Sequence, residues 1–324
     1  MANPNISEII TTTYKNRDKS VADNALDNVA LLRHMKDNNK IRKVSGGHKL
    51  NQPLAYAENG TVSWYSGYEI LDNSPQDVLT SAEYEWKQLI GAVGMSGLDQ
   101  IKNDGKEAFL DLLEQRIENL DTTLMNKLEE GLFADGTGND GKEIGGLQSI
   151  VADAGTGTVG GIDSSTYTFW RNVTYDATTD GGGAASASNI QGYMNAVYMQ
   201  LVRGADSPDL LIGDNNYWGF YHDSLTEIQR ITGRDTKLGS QGFKTIEYKR
   251  VPFVLGGGKG GACPTNHIYF LNTKYLFLKV KNDRFFDPIG SDREPTNQDA
   301  FVKYIGFAGN MTCSNRSLQG VLKD

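Results

Sequence analysis

Apolar positions along the chain change period several times, and each change marks an element. Residues 1–20 are polar and irregular and read as a mobile arm. From Val21 to Met35, Ala22, Leu26, Val29, Ala30 and Leu32 recur at helical spacing, and Gly46–Gly47 closes this arm. Leu54 to Glu58 and Thr61 to Tyr65 flank Asn59-Gly60, a dipeptide suited to a type I′ hairpin turn because that turn needs positive φ at both central residues. Residues 78–94 alternate: Val78, Thr80, Ala82, Tyr84, Trp86, Ile90 and Ala92 lie on one face, and Ser81, Glu83, Glu85 and Lys87 on the other. This predicts one long strand with a wet face. Asp104 and Glu107 make a relaxed capping box, after which Phe109, Leu113, Ile117, Leu120, Leu124 and Leu128 keep a helix face apolar to about Leu132. At 1.5 Å per residue that helix spans roughly 40 Å.

Downstream, residues 134–188 are loop-rich and glycine-rich. A helix follows with Ser188 as its candidate cap and Ile190, Tyr193, Met194, Val197, Tyr198, Leu201 and Val202 on one face. Asp209 to Gly213 reads as a short buried strand, and Asn215 to Gln229 as a helix. Phe243–Leu255, Ile268–Leu271, Leu276–Val280 and Phe301–Phe307 read as further strands. The order hairpin, long helix, mixed segments, then strands places the chain in the α+β class.

Composition narrows the function classes. With 324 residues the chain can bury a sizeable core, and 38% hydrophobic with 22% charged residues excludes a disordered tail. No stretch approaches the ~18 apolar residues of a membrane helix, and no signal-peptide core opens the chain, which together point to a reducing cytoplasm. Net charge is −8 and no Lys/Arg run exceeds two residues, which argues against sequence-specific nucleic-acid binding. Cys263 and Cys313 form no CxxC pair and are expected as free thiols.

The chemistry-bearing patterns fail on their own terms. Gly136–Lys142 matches GxxxxGK, but Glu143 stands where a phosphate loop needs Ser or Thr, and the loop follows a helix instead of a strand. Gly256–Gly261 lacks a GKS/T ending. His34, His48, His222 and His267 are scattered without metal-ligand spacing, and Asp135–Asp140 departs from a calcium loop. The expectation is therefore no catalytic residue, no cofactor and no metal. An enzyme whose site is assembled from distant residues stays open as a lesser alternative.

As an ordered set, these segments resemble the major capsid proteins of tailed bacteriophages, with the Hong Kong 97-type fold shared by encapsulins and herpesvirus shells. The Asn59-Gly60 hairpin looks like the family's extended loop, and Asp104–Leu132 like its spine helix. Ile144 to Ile150 looks like the segment after that helix, and Asp209 to Tyr217 like the strand-then-helix of the axial domain. Lys274–Lys281 and Val302–Gly306 look like the returning strands of the peripheral domain. The resemblance implies an N-terminal arm over 1–47, and an extended hairpin loop with its following strand over 48–95. It implies a peripheral domain from 96–144 and 276–313, and an axial domain from 145–275 and 314–324. It also implies an icosahedral head enclosing double-stranded DNA, built from pentamers and hexamers of this chain in the host cytoplasm. A portal, a separate scaffolding protein and a possible decoration or cement protein are the implied partners. An encapsulin-like compartment is the alternative on the same fold. The implied contact residues are Tyr56, Asn59, Gly60, Trp64, Tyr65 and Tyr68; on the residues alone the favoured reading is an ordinary surface hairpin that packs its aromatics on its own subunit.

Overall fold

The computed structural model describes residues 29–98, 106–225, 245–257, 261–290 and 299–324. In chain order its elements are α1 (Ala30–Asp37), β1 (Ile41–Val44), β2 (Leu50–Ala55), β3 (Leu79–Tyr84), β4 (Lys87–Ser96), α2 (Lys106–Phe133), β5 (Thr158–Val159), β6 (Ile162–Asp163) and β7 (Val173–Asp176). Then come α3 (Ile190–Leu201), β8 (Leu210–Gly213), α4 (Asn215–Ser224), β9 (Thr245–Tyr248), β10 (Val251–Leu255), β11 (His267–Leu271), β12 (Leu276–Pro288), β13 (Ala300–Cys313) and β14 (Gly320–Lys323). One sheet has the order β1-β12-β13-β4, a second β7-β14-β11-β8-β10-β9, and β2-β3 and β5-β6 form two-stranded ribbons. The mixture is the expected α+β class.

The six-stranded sheet is buried on both faces, and strand alternation sorts its side chains between two cores. Leu210, Ile212, Val254, Tyr269, Leu271 and Val321 enter one core, which runs on through β12 and β13 to the inner stripe of α2. Leu211, Phe253, Ile268, Phe270 and Leu322 enter the other, beneath α3 and α4. On α2, Ile117, Leu124, Leu128 and Leu132 are buried at the helical spacing that the sequence carries. Gly91 on β4 lets the helix close in, since a Cβ there would lie 2.6 Å from Leu120 Cδ1.

The long strand expected over 78–94 is broken. Glu85 and Trp86 separate β3 from β4, and the two strands join different sheets. Ala82 and Tyr84 enter a small cluster with Leu50, Leu54, Val159 and Trp170. Past the break the parity flips, so Val93 and Met95 point inward while Ile90 is 60% exposed. Single-period alternation cannot reveal a change of partner sheet. Likewise 243–255 is a hairpin, not one strand: β9 pairs antiparallel with β10 around Lys249-Arg250, both at positive φ. This pair lacks the Asn or Gly that advertises such turns.

Helix ends also shift. Asn189, not Ser188, is the N-cap residue of α3, and Ser188 hydroxyl instead meets that of Ser186 at 3.0 Å. Helix α4 ends at Ser224; Asp214 caps its start, accepting from Tyr217 N at 3.0 Å and Asn216 N at 3.2 Å. The arm over 1–20, residues 21–28 of the expected first helix, Asp104 and residues 226–229 lie outside the described residues.

Two buried polar features lock loops to this frame. Arg316, fully buried, donates from Nε to Ile150 O and from Nη1 to Ser164 Oγ at 3.0 Å and Trp170 O at 3.4 Å, tying three segments to the β13–β14 connection. His267 at the start of β11 faces Asp153 Oδ2 with Nε2 at 3.2 Å and Thr265 O with Nδ1 at 2.7 Å. Burial opposes a charge on this ring, but the Asp153 and Thr265 acceptors outweigh it and raise the His267 pKa. The His267 hydrogen bond in turn holds the Asp153 carboxyl below its usual value, against partial burial.

Two tests follow from these contacts. A Cβ on Gly146 would lie 2.4 Å from the carbonyl oxygens of Gly131 and Leu132, whereas Gly219, inside α4, has open space. Gly146→Ala should therefore lower the melting temperature, costing about 1–3 kcal/mol, and Gly219→Ala should raise it, by about 0.5–1 kcal/mol; calorimetry of both variants checks the opposite signs. Because the His267 pKa is raised, the stability it contributes is present at low pH and lost as pH climbs through that raised value. Because the Asp153 pKa is depressed, its contribution is lost as pH falls through the depressed value. Asp153→Asn should thus destabilise most near pH 5–6 and least near pH 9, in melting curves recorded across pH.

Candidate inter-subunit surface

Residues 56–78 leave β2 and return to β3, and all except Thr61 and Val78 are exposed. The root of this segment is pinned. Register Leu50↔Tyr84 to Ala55↔Leu79 zips the two strands, Tyr84 hydroxyl donates to Cys313 O at 3.3 Å, and Lys279 Nζ donates to Asn51 O at 2.5 Å. Trp86 Nε1 donates to Gly47 O at 2.9 Å. Beyond the root, the segment holds itself by short-range turns.

The expected hairpin is therefore larger and differently turned. Asn59-Gly60 is not a type I′ turn: neither residue has positive φ. Asn59 Oδ1 instead accepts from Thr61 N at 3.0 Å and Thr61 Oγ1 at 2.7 Å, and Val62 N donates to Asn59 O at 3.4 Å. An Asn side chain that satisfies its own backbone this way competes with strand pairing. A second turn closes from Glu69 N to Ser66 O at 3.1 Å. In a third, Ser74 N donates to Asp72 Oδ1 at 3.0 Å and draws the Asp72 carboxyl below its usual pKa.

The named aromatics divide. Tyr56 stacks at 5.8 Å on Phe169 of its own chain, which in turn neighbours Tyr167 and Trp170. Trp64, Tyr65 and Tyr68 have no ring partner among the described residues, and Trp64 and Tyr68 are fully exposed. Sequence reasoning omitted Val62, Ile70 and Leu71, which are also exposed on this loop. The signal was present: apolar residues with neither helical nor strand period, in a run whose only charges are Glu58, Glu69, Asp72 and Asp77. Asn59 and Gly60 shape the loop and present no apolar surface.

Elsewhere, Asn139, Asp140 and Gly141 all have positive φ and form a left-handed turn after α2. Glu143 Oε1 accepts from Asn139 Nδ2 at 2.6 Å, so the phosphate-loop lookalike closes on its own carboxylate. Of the second glycine loop, residues 258–260 lie outside the described residues. His34 faces Asp209 at 3.6 Å and His222 faces Asp223 at 3.4 Å. His267 has both ring nitrogens engaged, which leaves neither to take a substrate proton. Among the described residues no group of three His, Cys, Asp or Glu is placed to hold a metal, no helix is long and apolar enough to cross a membrane, and Cys263 and Cys313 are free thiols.

No family model matches the sequence, and no curated protein does. Solved structures do match in fold. The capsid asymmetric unit of cyanophage A-1(L) is similar at 16% identity and TM-score 0.64, over 88% of this chain and 90% of that one. The capsid of a native GTA particle is similar at 11% identity and TM-score 0.58, over 88% of each. The holo-SrpI encapsulin complex from Synechococcus elongatus PCC 7942 is similar at 10% identity and TM-score 0.55, over 89% of this chain and 86% of that one. At this coverage and with this order of elements, the chain has the Hong Kong 97-type fold of phage capsid and encapsulin shell subunits.

Proposed function

We propose that this chain is the shell-forming subunit of an icosahedral phage head, a structural protein without catalytic activity that encloses double-stranded DNA. The observation that carries this is the 56–78 loop: a pinned root and an exposed tip bearing Val62, Trp64, Tyr65, Tyr68, Ile70 and Leu71. Trp and Tyr are enriched in protein interfaces, and a projecting apolar loop on a free monomer is a liability unless something covers it. A neighbouring copy is the cover that the fold supports, in pentamers and hexamers of the virion assembled in the bacterial host cytoplasm. A separate scaffolding protein, a portal and a possible decoration or cement protein complete the proposed partners. The proposed division is a peripheral domain of 96–144 and 276–313 and an axial domain of 145–275 and 314–324. An arm, 1–47, and the extended loop with its following strand, 48–95, complete it.

The likeness to the encapsulin complex at TM-score 0.55 favours one second reading, a compartment that encloses protein cargo. Neighbouring terminase and portal genes mark the head; a neighbouring cargo enzyme marks the compartment.

Trp64→Ala and Tyr65→Ala should leave the melting of the unassembled subunit within about 0.5 kcal/mol of the parent, because both side chains are exposed and have no ring partner among the described residues. Both should reduce assembly with scaffold supplied, seen by analytical ultracentrifugation and electron microscopy. A parent chain that stays a clean monomer under those conditions contradicts the shell reading, and a variant that assembles like the parent removes the loop from it.

A further inference from the structure

Asn59-Gly60 is the one Asn-Gly dipeptide of the chain, and the proposed shell makes no use of its chemistry. An asparagine followed by glycine is prone to cyclise, because no Cβ on the second residue shields its amide nitrogen. The Asn59 side chain is exposed, and its Oδ1 accepts from Thr61 N at 3.0 Å and from Thr61 Oγ1 at 2.7 Å. The ring closed by the first of these bonds runs from Oδ1 through Cγ and the Asn59 backbone to the Gly60 nitrogen, so it keeps that carbon and that nitrogen beside each other. Among the described residues no hydrogen bond engages the Gly60 N–H or Asn59 Nδ2. Two other turns repeat the pair of bonds and lack one requirement each. Asn315 Oδ1 accepts from Ser317 N at 3.1 Å and Ser317 Oγ at 2.8 Å, but the residue between them is the fully buried Arg316. Asp135 Oδ1 accepts from Thr137 N at 2.9 Å and Thr137 Oγ1 at 2.8 Å across Gly136. Its carboxyl is held below its usual pKa by the Thr137 N–H, and an ionised carboxylate offers no good leaving group.

We propose that Asn59 is a site of spontaneous modification, converting through a cyclic imide to aspartate and isoaspartate, with Thr61 promoting the ring closure. The Gly60 nitrogen, having lost its proton to solvent, attacks Asn59 Cγ. A C–N bond forms, and the electron pair of the Cγ=Oδ1 double bond moves onto Oδ1, where both Thr61 donors already point. The pair returns, the Cγ–Nδ2 bond breaks, and Nδ2 takes up a proton and leaves as ammonia. Water then opens the imide. Cleavage of the new Cγ–N bond leaves aspartate, and cleavage of the original backbone C–N bond leaves isoaspartate. In sum one amide and one water become one carboxylate and one ammonium, with no change of oxidation state. Either product adds a carboxylate to a segment, 56–78, that already carries Glu58, Glu69, Asp72 and Asp77 and no Lys or Arg. Isoaspartate also lengthens the main chain at the turn and abolishes the bonding that shapes this end of the loop. A turn that only fixed the amide in place would slow the reaction, so the effect of Thr61 separates a promoting turn from a protecting one.

Peptide mapping by mass spectrometry tests this on the full, unassembled chain aged at pH 8 and 37 °C, so the outcome does not depend on the shell reading. The peptide holding residue 59 should gain the mass of an acid in place of an amide at least about tenfold faster than the peptide holding Asn315. It should appear as two chromatographic isomers, and more slowly at pH 6, where less of the Gly60 amide is deprotonated. Gly60→Ala should slow the conversion at least about tenfold; the added Cβ would meet only the flexible end of Gln76, 3.3 Å away, so circular dichroism melting should stay at the parent value. Thr61→Val should slow it about twofold to tenfold, the worth of one hydrogen bond in water, while Thr61→Ser keeps the parent rate. If Asn59 keeps its amide as long as Asn315 does, the site is wrong. If Thr61→Val converts at the parent rate or faster, the promoting role of Thr61 is overturned.

Discussion

The architecture depends on a sheet that has no wet face. Along β8 and β11, successive side chains enter opposite cores: Leu210 and Ile212 against Leu211, Tyr269 and Leu271 against Ile268 and Phe270. Each strand is therefore apolar at nearly every position, and the sheet is stable only if both faces are covered. Helices α3 and α4 cover one. The other merges with the core that seats α2 on β4, β12 and β13, so the two larger sheets share a continuous apolar interior. Burying one large side chain fully contributes about 1.5–3 kcal/mol relative to leaving it exposed, so a shared interior of this kind dominates the stability.

That economy stops at the loop after β2. Past Tyr56, which packs on Phe169 beside the root cluster of Leu50, Leu54, Ala82, Tyr84, Val159 and Trp170, its large apolar side chains are exposed. An isolated two-stranded ribbon is marginal in water, and here it is held by Tyr84 on Cys313 and Lys279 on Asn51. The result is a held base and a tip whose large apolar side chains are exposed, a patch of the kind that marks interaction sites. On the proposed reading, such an arrangement links sequence to assembly: the loop's root is held within the chain, and its tip awaits a neighbouring copy.

Much of this was legible before any coordinates. The α2 stripe from Ile117 to Leu128, the α3 positions Ile190, Met194, Val197 and Leu201, and the short apolar strand β8 each follow one period, and the structure keeps them buried, with Leu120 partly so. Val202 of the expected α3 face lies past the helix end and is exposed, and the side chains of Phe109 and Leu113 lie outside the described residues. What failed were places where tertiary pairing overrides local pattern. Glu85-Trp86 interrupts an alternation that looked continuous, because the strand changes partner from β2 to β13. Lys249-Arg250 turns a hairpin with residues that carry no turn signature, and Asn59-Gly60 carries that signature without making the turn. At the candidate surface, Trp64, Tyr65 and Tyr68 were named from residue type alone and are exposed, while Tyr56 packs at home on Phe169, a contact between distant segments that no local pattern encodes. Val62, Ile70 and Leu71 were passed over because attention to periodicity discards apolar residues that have none.

The account turns on whether the loop tip is covered by another copy. Hydroxyl-radical footprinting read by mass spectrometry measures this directly, in the free subunit and in the assembled particle of the same chain. The account predicts fast oxidation of Trp64, Tyr65 and Tyr68 in the free subunit and at least about tenfold slower oxidation after assembly, with buried Tyr269 slow in both. Equal oxidation of the three tip residues before and after assembly would contradict it.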